Sequence, residues 1–559
     1  MKMKKLLALL LCAAMPLTVL ALPAAAASPQ AKYTNPNGCT PKKLCRHSPV
    51  IILPGIGQAE ARVRDADGET IARFSDMPED GKRGFLDVHV PAHGILDIIG
   101  EDHLFLFNYA QMGNVWENVD LLAAFIDMVR EQTGHGKVNL CAISLGGTLL
   151  TGYLDRYGHE KLDQIVNIVA TVDGSQVLGD LTTGNLRKDA AFWRAGGLTK
   201  LLDTMKDRPD HARSIGSLLE LTMRALPLPV ITGALRLIWP GALYLLTKLV
   251  GGTQFFWAMV PRDRYPAARE ALMKGPLNAA MRGETDSFYE AQCNLYENIL
   301  AAVADGVRVN SIAGAGFDAG EGDTRGDYTY MQLFGTRMNS DGVIHLEGAT
   351  MGATCAMPGE KLPADYVPKK KGYLSPDGSI DCSTALLPDN TWVFLGQPHE
   401  VGRNDALINL MTALFANPGM NVKTNPKKYP QYNYAMDTEC LRRGNIANAQ
   451  ALLADPAKNV SAVDKKALQT ALKEANAVRA LTIGDAERAD AVQEALVALL
   501  KKYDMPWREN KLPEHETEGF ESLLGDVMGA FARGAWLFWG EGSYLEFWKL
   551  FGLFGRLSS

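Results

Sequence analysis

The sequence predicts an α/β fold with a mostly parallel sheet, and two kinds of segment support that prediction. Short apolar runs, typical of strands buried on both faces, occur in PVIILPG, HLFLFNYA and KVNLCAIS. Between the second and third runs, VWENVDLLAAFIDMVREQTG has apolar residues at helical spacing and ends at a glycine. Strands that alternate with a helix in this way are typical of a parallel sheet covered by helices.

Length and composition limit the class of protein. A chain of 559 residues can hold several domains. Hydrophobic residues make up 47% and charged residues 21%, which excludes a disordered chain and a membrane protein with many spans. The formal net charge is -6, so there is no basic excess to attract a phosphate backbone. Nucleic acid is therefore not expected as a partner.

Residues 1–27 have the pattern of a signal peptide. A lysine-rich start precedes an apolar run from Leu6, and four alanines at 24–27 offer a cleavage site of small residues. We therefore expect a mature protein that starts near Ser28 and is secreted or held in the cell envelope. An uncleaved membrane anchor is the alternative.

Seven cysteines follow the signal peptide, and export would place them where disulfides persist. Local disulfides are expected where two cysteines flank a short polar loop and where two others flank a Gly/Pro/Lys-rich loop. The remaining cysteines would form a third pair and one buried thiol. The two local pairs are Cys39 with Cys45 and Cys355 with Cys382. The third pair is Cys293 with Cys440, and the buried thiol is Cys141. No cysteine or histidine cluster has zinc-ligand spacing, so neither a metal nor another cofactor is expected.

The segment NLCAISLGGTLL carries the strongest local signal for chemistry. Ser144 follows an apolar strand and precedes a helix, and residues 142–146 match the nucleophile elbow G-x-S-x-G with Ala142 in place of the first glycine. Small residues are needed there because the serine lies on a tight turn. The helix N-terminus would face the site and favour developing negative charge. Ser144 is therefore predicted to be the nucleophile.

A serine nucleophile needs a histidine base and an acid that orients it, and after this elbow they follow in the order acid, then histidine. Asp341 begins DGVIHLEGA, downstream of the run VRVNSIAGAG, and His399 follows the run TWVFLG. Each is expected on a loop after a strand, where α/β sheets gather their sites. Asp318 and Asp323 are alternatives for the acid, and His345 is the alternative for the base.

The reaction would also need two backbone N–H donors for an oxyanion. One is expected from Leu145, directly after the serine. The second is expected from the loop LPGIGQAE after the first strand, where glycines let the backbone approach, and Ile56 is the preferred residue.

Residues 178–304 lack strand signals and are expected to form a helical cap inserted in a catalytic domain of residues 28–420. The apolar stretch from Leu226 to Pro261 is too interrupted by prolines and glycines to predict a transmembrane helix. The cap is either a packing layer or a mobile lid with a lipid-facing side. This apolar stretch favours a long-chain lipid ester over a small polar ester.

The remaining chain is predicted to be helical. Residues 421–505 read as a linker followed by two amphipathic helices that separate near Gly484. Residues 506–559 read as an acidic linker and an amphipathic segment rich in tryptophan and phenylalanine. That segment would lie in a membrane interface, or else pack on the cap or on a partner.

These motifs resemble the α/β-hydrolase superfamily, and within it the lecithin:cholesterol acyltransferase-like lipases. The resemblance covers residues 49–415 without the cap, and its stretches are SPVIILPGIGQAEARV, LFLFNYAQMGNVWENVDLLAAFIDMV, AISLGG, and DGVIHLEGA with GQPHE. It implies hydrolysis or transfer of an acyl ester through a serine acyl-enzyme, with Ser144, Asp341 and His399 as the triad.

Two further resemblances concern binding. TQFFWAMVP is similar to a cap segment near the acyl site of those lipases, which implies substrate contact by Phe255, Phe256 and Trp257. The helices at 461–503 resemble small helical modules of bacterial surface proteins that bind cell-wall or carbohydrate partners, and a plain spacer is the alternative.

The sequence thus predicts an exported serine hydrolase of carboxylic esters, with a lipid or ester substrate and contact with a membrane interface or the cell envelope. An acyltransferase with the same triad is one alternative. A non-catalytic envelope-binding protein on a hydrolase scaffold is another, and the intact order of serine, aspartate and histidine disfavours it.

Overall fold

A computed structural model describes residues 47–56, 71–88, 92–111, 113–185, 227–233, 254–273, 279–318, 335–417, 419–435, 438, 440–478 and 483–508. The expected signal peptide, the expected Cys39–Cys45 disulfide, Asp323 and the aromatic C-terminal segment lie outside these residues.

In the part of the chain that the structure describes, eleven strands form one large sheet and two short hairpins. In chain order they are β1 Val50–Leu53, β2 Leu104–Leu106, β3 Val138–Ile143, β4 Leu162–Ile168, β5 Arg308–Ala315, β6 Phe317–Asp318, β7 Asn339–Ser340, β8 Thr354–Cys355, β9 Ile380–Asp381, β10 Thr391–Leu395 and β11 Tyr432–Tyr434. The large sheet has the order β11-β10-β5-β4-β3-β1-β2, and every neighbouring pair in it is parallel. The prediction of an α/β fold with a mostly parallel sheet is confirmed.

Helices cover both faces of this sheet. In chain order they are α1 Glu79–Val88, α2 Ala92–Ile99, α3 Val115–Thr133, α4 Gly146–Tyr157, α5 Gln176–Thr183, α6 Gln254–Ala258, α7 Tyr265–Leu272, α8 Ala279–Ala304, α9 Leu346–Ala349, α10 Asp405–Ala416, α11 Ile446–Ala454, α12 Ala462–Ala477 and α13 Ile483–Lys502. The helix predicted between the second and third apolar runs is α3. It starts where the Asn114 side chain accepts hydrogen bonds from two backbone N–H groups, and it ends at the left-handed Gly134.

Alternate residues of the central strands enter two separate hydrophobic cores. In β3, Leu140 and Ala142 pack in the core under α3, α4 and α8, whereas Cys141 and Ile143 pack in the core under α2 and α10. Because successive side chains of a strand point to opposite faces, a strand between two cores must be apolar throughout. This explains the uninterrupted apolar runs from which the strands are predicted.

The last helix of the predicted cap packs directly on the elbow helix. In α8, Phe288 lies against Trp116 of α3, with ring centroids 5.4 Å apart, and a Cβ at Gly152 of α4 would come within 3.1 Å of Phe288. This part of residues 178–304 is therefore a packing layer. Residues 186–226 and 234–253 lie outside the described chain, so a mobile lid there stays a prediction.

Three helices, α11, α12 and α13, share a small core near the C-terminus, formed by residues such as Leu452, Leu468 and Leu496. Val478 and Ala489 from the same region join the core of the large sheet. Across the described ranges, no helix combines the length and apolar character that crossing a membrane would require.

The expected disulfides are wrong for the cysteines that the structure describes. Among the described residues, no disulfide joins Cys141, Cys293, Cys355, Cys382 or Cys440. In the β8–β9 hairpin, Cys355 pairs with Ile380, so Cys382 is its diagonal neighbour. Diagonal neighbours lie about 7–8 Å apart, which is farther than a disulfide reaches. The sequence spacing alone does not reveal this register.

Candidate active site

Ser144 lies on the sharp turn between β3 and α4. Its φ of 48° lies in the left-handed region, which a non-glycine residue adopts only when its surroundings enforce it. The Ser144 N–H donates to the Ile168 carbonyl at 3.1 Å, and its carbonyl accepts from both the N–H and the hydroxyl of Thr171 at 2.9 Å. The loop after β4 thus holds the serine backbone in this conformation.

The glycines after the serine are required because the backbone at these positions lies very close to neighbouring segments. A Cβ at Gly146 would collide with the carbonyl oxygen of Leu53 at the end of β1. A Cβ at Gly147 would come within 2.7 Å of the Thr171 nitrogen. The AISLGG motif therefore lets α4 begin directly against two neighbouring loops.

Three side chains that are distant in sequence meet at the carboxyl edge of the sheet. The His399 Nε2 lies 2.8 Å from the Ser144 Oγ, and the His399 Nδ1 lies 2.8 Å from the Asp341 Oδ2. The other Asp341 oxygen accepts the N–H groups of Val343 and Ile344 at 2.8 and 2.7 Å. Asp341 is 1% exposed, and both of its carboxylate oxygens have partners. A histidine placed in this way can take the hydroxyl proton, and the carboxylate fixes its orientation.

The alternative acid and base lie elsewhere. His345 directly precedes α9, and burial lowers its pKa to about 4, so its ring is neutral at physiological pH. The two hydrogen bonds described above involve His399 and Asp341 instead. Asp318 lies in β6, where it pairs with Asn339 of β7.

The two predicted oxyanion donors lie at the same edge as the serine. Leu53 of β1 pairs with Ala142 of the parallel strand β3. Ile56 lies three residues after Leu53, and Leu145 lies three residues after Ala142, so the two donors follow the ends of adjacent strands. The N–H groups of Leu145 and Ile56 donate no hydrogen bond to any residue in the described ranges. Both are thus available to an oxyanion.

The loop after β4 connects the serine, the acid and the predicted cap, and no sequence motif marks this role. The Ser175 hydroxyl donates to the Val343 carbonyl at 2.8 Å, next to Asp341. The Ser175 N–H donates to the Met259 carbonyl at 2.8 Å, just after α6. Hydrogen bonds of Thr171 and Ser175 therefore connect the loop after β4 to Ser144, to the loop that carries Asp341 and to the segment after α6.

Phe255, Phe256 and Trp257 form most of α6 and are buried inside the protein. Phe255 is 0% exposed and stacks on Tyr109, with ring centroids 5.8 Å apart. Substrate contact by these three side chains stays a prediction.

A second buried carboxylate, Asp173, lies on the same loop as Thr171 and Ser175. Its Oδ2 is 3.2 Å from the Arg262 Nε, and its Oδ1 has no hydrogen-bond partner. Burial raises the pKa of Asp173 to about 7, because the loss of hydration outweighs the attraction of Arg262. The Arg262 guanidinium in turn lies 4.1 Å from the ring centroid of Tyr296.

The described residues contain no group of three histidine, cysteine, aspartate or glutamate side chains that could hold a metal ion.

Comparisons with known proteins add little to this geometry. No protein-family model and no curated protein matches the sequence. Among solved structures, phospholipase PlaB from Legionella pneumophila matches with 14% identity and a TM-score of 0.23. The match covers 54% of this chain and 46% of that one, so the chain spans about half of that phospholipase. At this TM-score the match is only a weak structural similarity, and it says nothing about the function of this chain.

Proposed function

We propose that the protein is a serine hydrolase that cleaves carboxylic esters, and that its substrates are lipid esters. The observation that carries this proposal is the pair of 2.8 Å contacts from His399 to Ser144 and to Asp341. These residues come from three loops of an α/β sheet, and Ser144 has the strained backbone of a nucleophile elbow.

In the proposed reaction, His399 Nε2 takes the proton of Ser144 as its Oγ attacks the ester carbonyl. The N–H groups of Leu145 and Ile56 stabilise the oxyanion of the tetrahedral intermediate. His399 then returns the proton to the leaving alcohol, and an acyl-enzyme remains on Ser144. Water, activated by the same histidine, attacks the acyl-enzyme and releases the acid. Asp341 orients the imidazole and stabilises its charged form throughout.

A fluorophosphonate probe tests the nucleophile directly, because it reacts with activated serines. We expect the wild-type protein to be labelled, and the Ser144→Ala and His399→Ala variants to lose labelling. Ser287→Ala is the matched control, since Ser287 lies on α8 and has no role in the proposed reaction, so labelling should stay intact. A folded wild-type protein that stays unlabelled, with and without a detergent interface, would favour the envelope-binding alternative.

The lipid part of the proposal rests on the apolar stretch from Leu226 to Pro261 in the sequence. A series of esters with acyl chains of increasing length, together with an emulsified lipid, tests it. Hydrolysis should extend to long chains and to the emulsion. Activity confined to short, water-soluble esters would contradict a lipid substrate and leave the esterase proposal standing.

Export is a separate proposal that rests on the pattern of residues 1–27. It is tested by the intact mass of the protein recovered from the culture medium or the cell envelope. The expected mass is that of a chain starting near Ser28.

A further inference from the structure

We propose that Gln111 and Tyr109 are positioning residues that set the direction of the oxyanion donor at Ile56. This inference rests on the proposed function. Both residues lie on the loop after β2, and neither belongs to the predicted triad or to the predicted oxyanion hole.

The sheet places this loop beside the oxyanion loop. β1 lies between β3 and β2, so the loop after β1 has the Ser144 elbow on one side and the loop after β2 on the other. The ladder continues past the strand ends, since the Phe107 N–H donates to the Ile52 carbonyl at 3.0 Å. Residues 54–56 and 108–111 therefore leave the sheet side by side.

Gln111 holds the peptide group that carries the Ile56 N–H. Its Nε2 donates to the Gly55 carbonyl at 2.8 Å. That carbonyl and the Ile56 N–H belong to one planar trans peptide, in which the two groups point in opposite directions. Because Gln111 draws the carbonyl toward the loop after β2, the Ile56 N–H is turned toward the opposite side of β1. That is the side of β3 and Ser144.

Tyr109 fixes the preceding peptide in the same way. Its hydroxyl donates to the Pro54 carbonyl at 2.7 Å. With both carbonyls held by one segment, the two backbone torsions of Gly55 are restrained, although a glycine would otherwise be the most mobile residue of this loop. The Ile56 N–H, in the peptide that follows Gly55, is then held at a fixed angle.

The Tyr109 side chain, which with Gln111 forms a clamp on residues 54–56, is itself held in place by packing. The Tyr109 side chain is 3% exposed and lies between the rings of Phe107 and Phe255, with centroids 5.8 Å from each. Burial raises the pKa of Tyr109, so its phenol keeps its proton at the pH of any ordinary assay.

The loop of the clamp is also anchored from α3. The Asn118 side chain accepts from the Ala110 N–H at 3.1 Å and donates to the Ala110 carbonyl at 2.8 Å. This fixes the residue between Tyr109 and Gln111 from both sides. Electrostatic stabilisation in an oxyanion hole depends on donors that are already oriented before reaction.

The test compares Gln111→Met, which keeps the length of the side chain but cannot donate, with Gln111→Glu, which would repel the Gly55 carbonyl. Tyr109→Phe removes the hydroxyl that holds the Pro54 carbonyl and leaves Gln111 in place. Gln469→Met, on the exposed face of α12, is the matched control. Each protein is assayed on a soluble ester for kcat and KM, and for inhibition by a trifluoromethyl ketone, which forms a tetrahedral adduct with the serine.

We expect Gln111→Met to lower kcat by about 10- to 100-fold with KM changed by less than about threefold, since loss of a whole oxyanion donor costs about 100- to 1000-fold. Affinity for the trifluoromethyl ketone should fall by a similar factor. Gln111→Glu should lose more than Gln111→Met, and Tyr109→Phe should lose less. Gln469→Met should match the wild type.

A wild-type value of kcat in both Gln111 variants, or a loss that appears in KM alone, would overturn the inference. If Gln111→Met does not fold, Tyr109→Phe tests the inference instead: kcat should fall while KM stays nearly unchanged. An inactive wild-type protein would count against the proposed function instead. An active wild type, an inactive Ser144→Ala variant and a fully active Gln111→Met variant would count against the clamp alone.

Discussion

Two buried carboxylates, Asp341 and Asp173, lie on two loops of the site that Ser175 joins, yet their surroundings differ. Asp341 is 1% exposed, and both of its oxygens have partners: two backbone N–H groups and the His399 ring. Asp173 is 8% exposed, has the guanidinium and a backbone N–H of Arg262 as its partners, and leaves one oxygen without a hydrogen bond. Burial by itself therefore does not decide what a carboxylate does. The number of hydrogen-bond donors around a buried carboxylate determines whether its charged form is stabilised or disfavoured.

The largest expected effect separates the two carboxylates by activity. Asp341→Asn should lower kcat by about 1000- to 10,000-fold, because an amide no longer stabilises the charged imidazole and favours the wrong tautomer. Asp173→Asn should lower kcat by less than about tenfold at pH 8. Steady-state hydrolysis of a soluble ester measures both. Similar losses in the two variants would show that the distinction drawn from their hydrogen bonds is wrong.

The second effect separates them by stability. The pKa of Asp173 is raised to about 7, so between about pH 4 and pH 7 the folded protein keeps a proton that the unfolded chain has released. Stability conferred by the protonated group is therefore lost as the pH rises through that window. At about 1.4 kcal/mol per pKa unit, the loss over this whole window is about 4 kcal/mol, and about 3 kcal/mol of it falls between pH 5 and pH 8.

Urea unfolding at pH 5 and pH 8 measures this dependence. Asp173→Asn should flatten the difference in free energy of unfolding between the two pH values relative to the wild type. An unchanged difference would mean that Asp173 is ionised across the whole range in the folded protein.

The smallest expected effect concerns the hydrogen bond that joins the two loops. Ser175→Ala removes the donor to the Val343 carbonyl and should reduce the free energy of unfolding by about 1 kcal/mol. Because Val343 also donates to Asp341, kcat should fall by about two- to tenfold. Urea unfolding and ester hydrolysis on the same preparation test the two numbers. A loss of activity as large as that of Asp341→Asn would place Ser175 in the catalytic machinery itself.

Much of the fold is readable from local pattern. The strands β1, β2 and β3 coincide with apolar runs, and α3 begins and ends at the expected kinds of capping residue. Ser144 is marked by its motif. Asp341 and His399 follow from chain order and from the rule that sites gather after strands, although 58 and 255 residues separate the histidine from its two partners.

Other features depend on how distant segments meet. Gln111 lies 56 residues from the carbonyl that it holds, and Ser175 lies 168 residues from its acceptor. No motif marks such pairs, because each residue is ordinary in its own neighbourhood. The Cys355–Cys382 disulfide is expected because the two cysteines flank a Gly/Pro/Lys-rich loop, and it is absent because the hairpin register makes them diagonal neighbours.

The sequence by itself determined the α/β class, the elbow and the order of the predicted triad, because periodicity and tight turns impose their residue types over a few neighbouring positions. Only the tertiary structure decided which carboxylate is fully hydrogen-bonded and which backbone carbonyls are clamped. These properties belong to the meeting of strand ends, and the strand order of a sheet brings together residues that no local pattern relates.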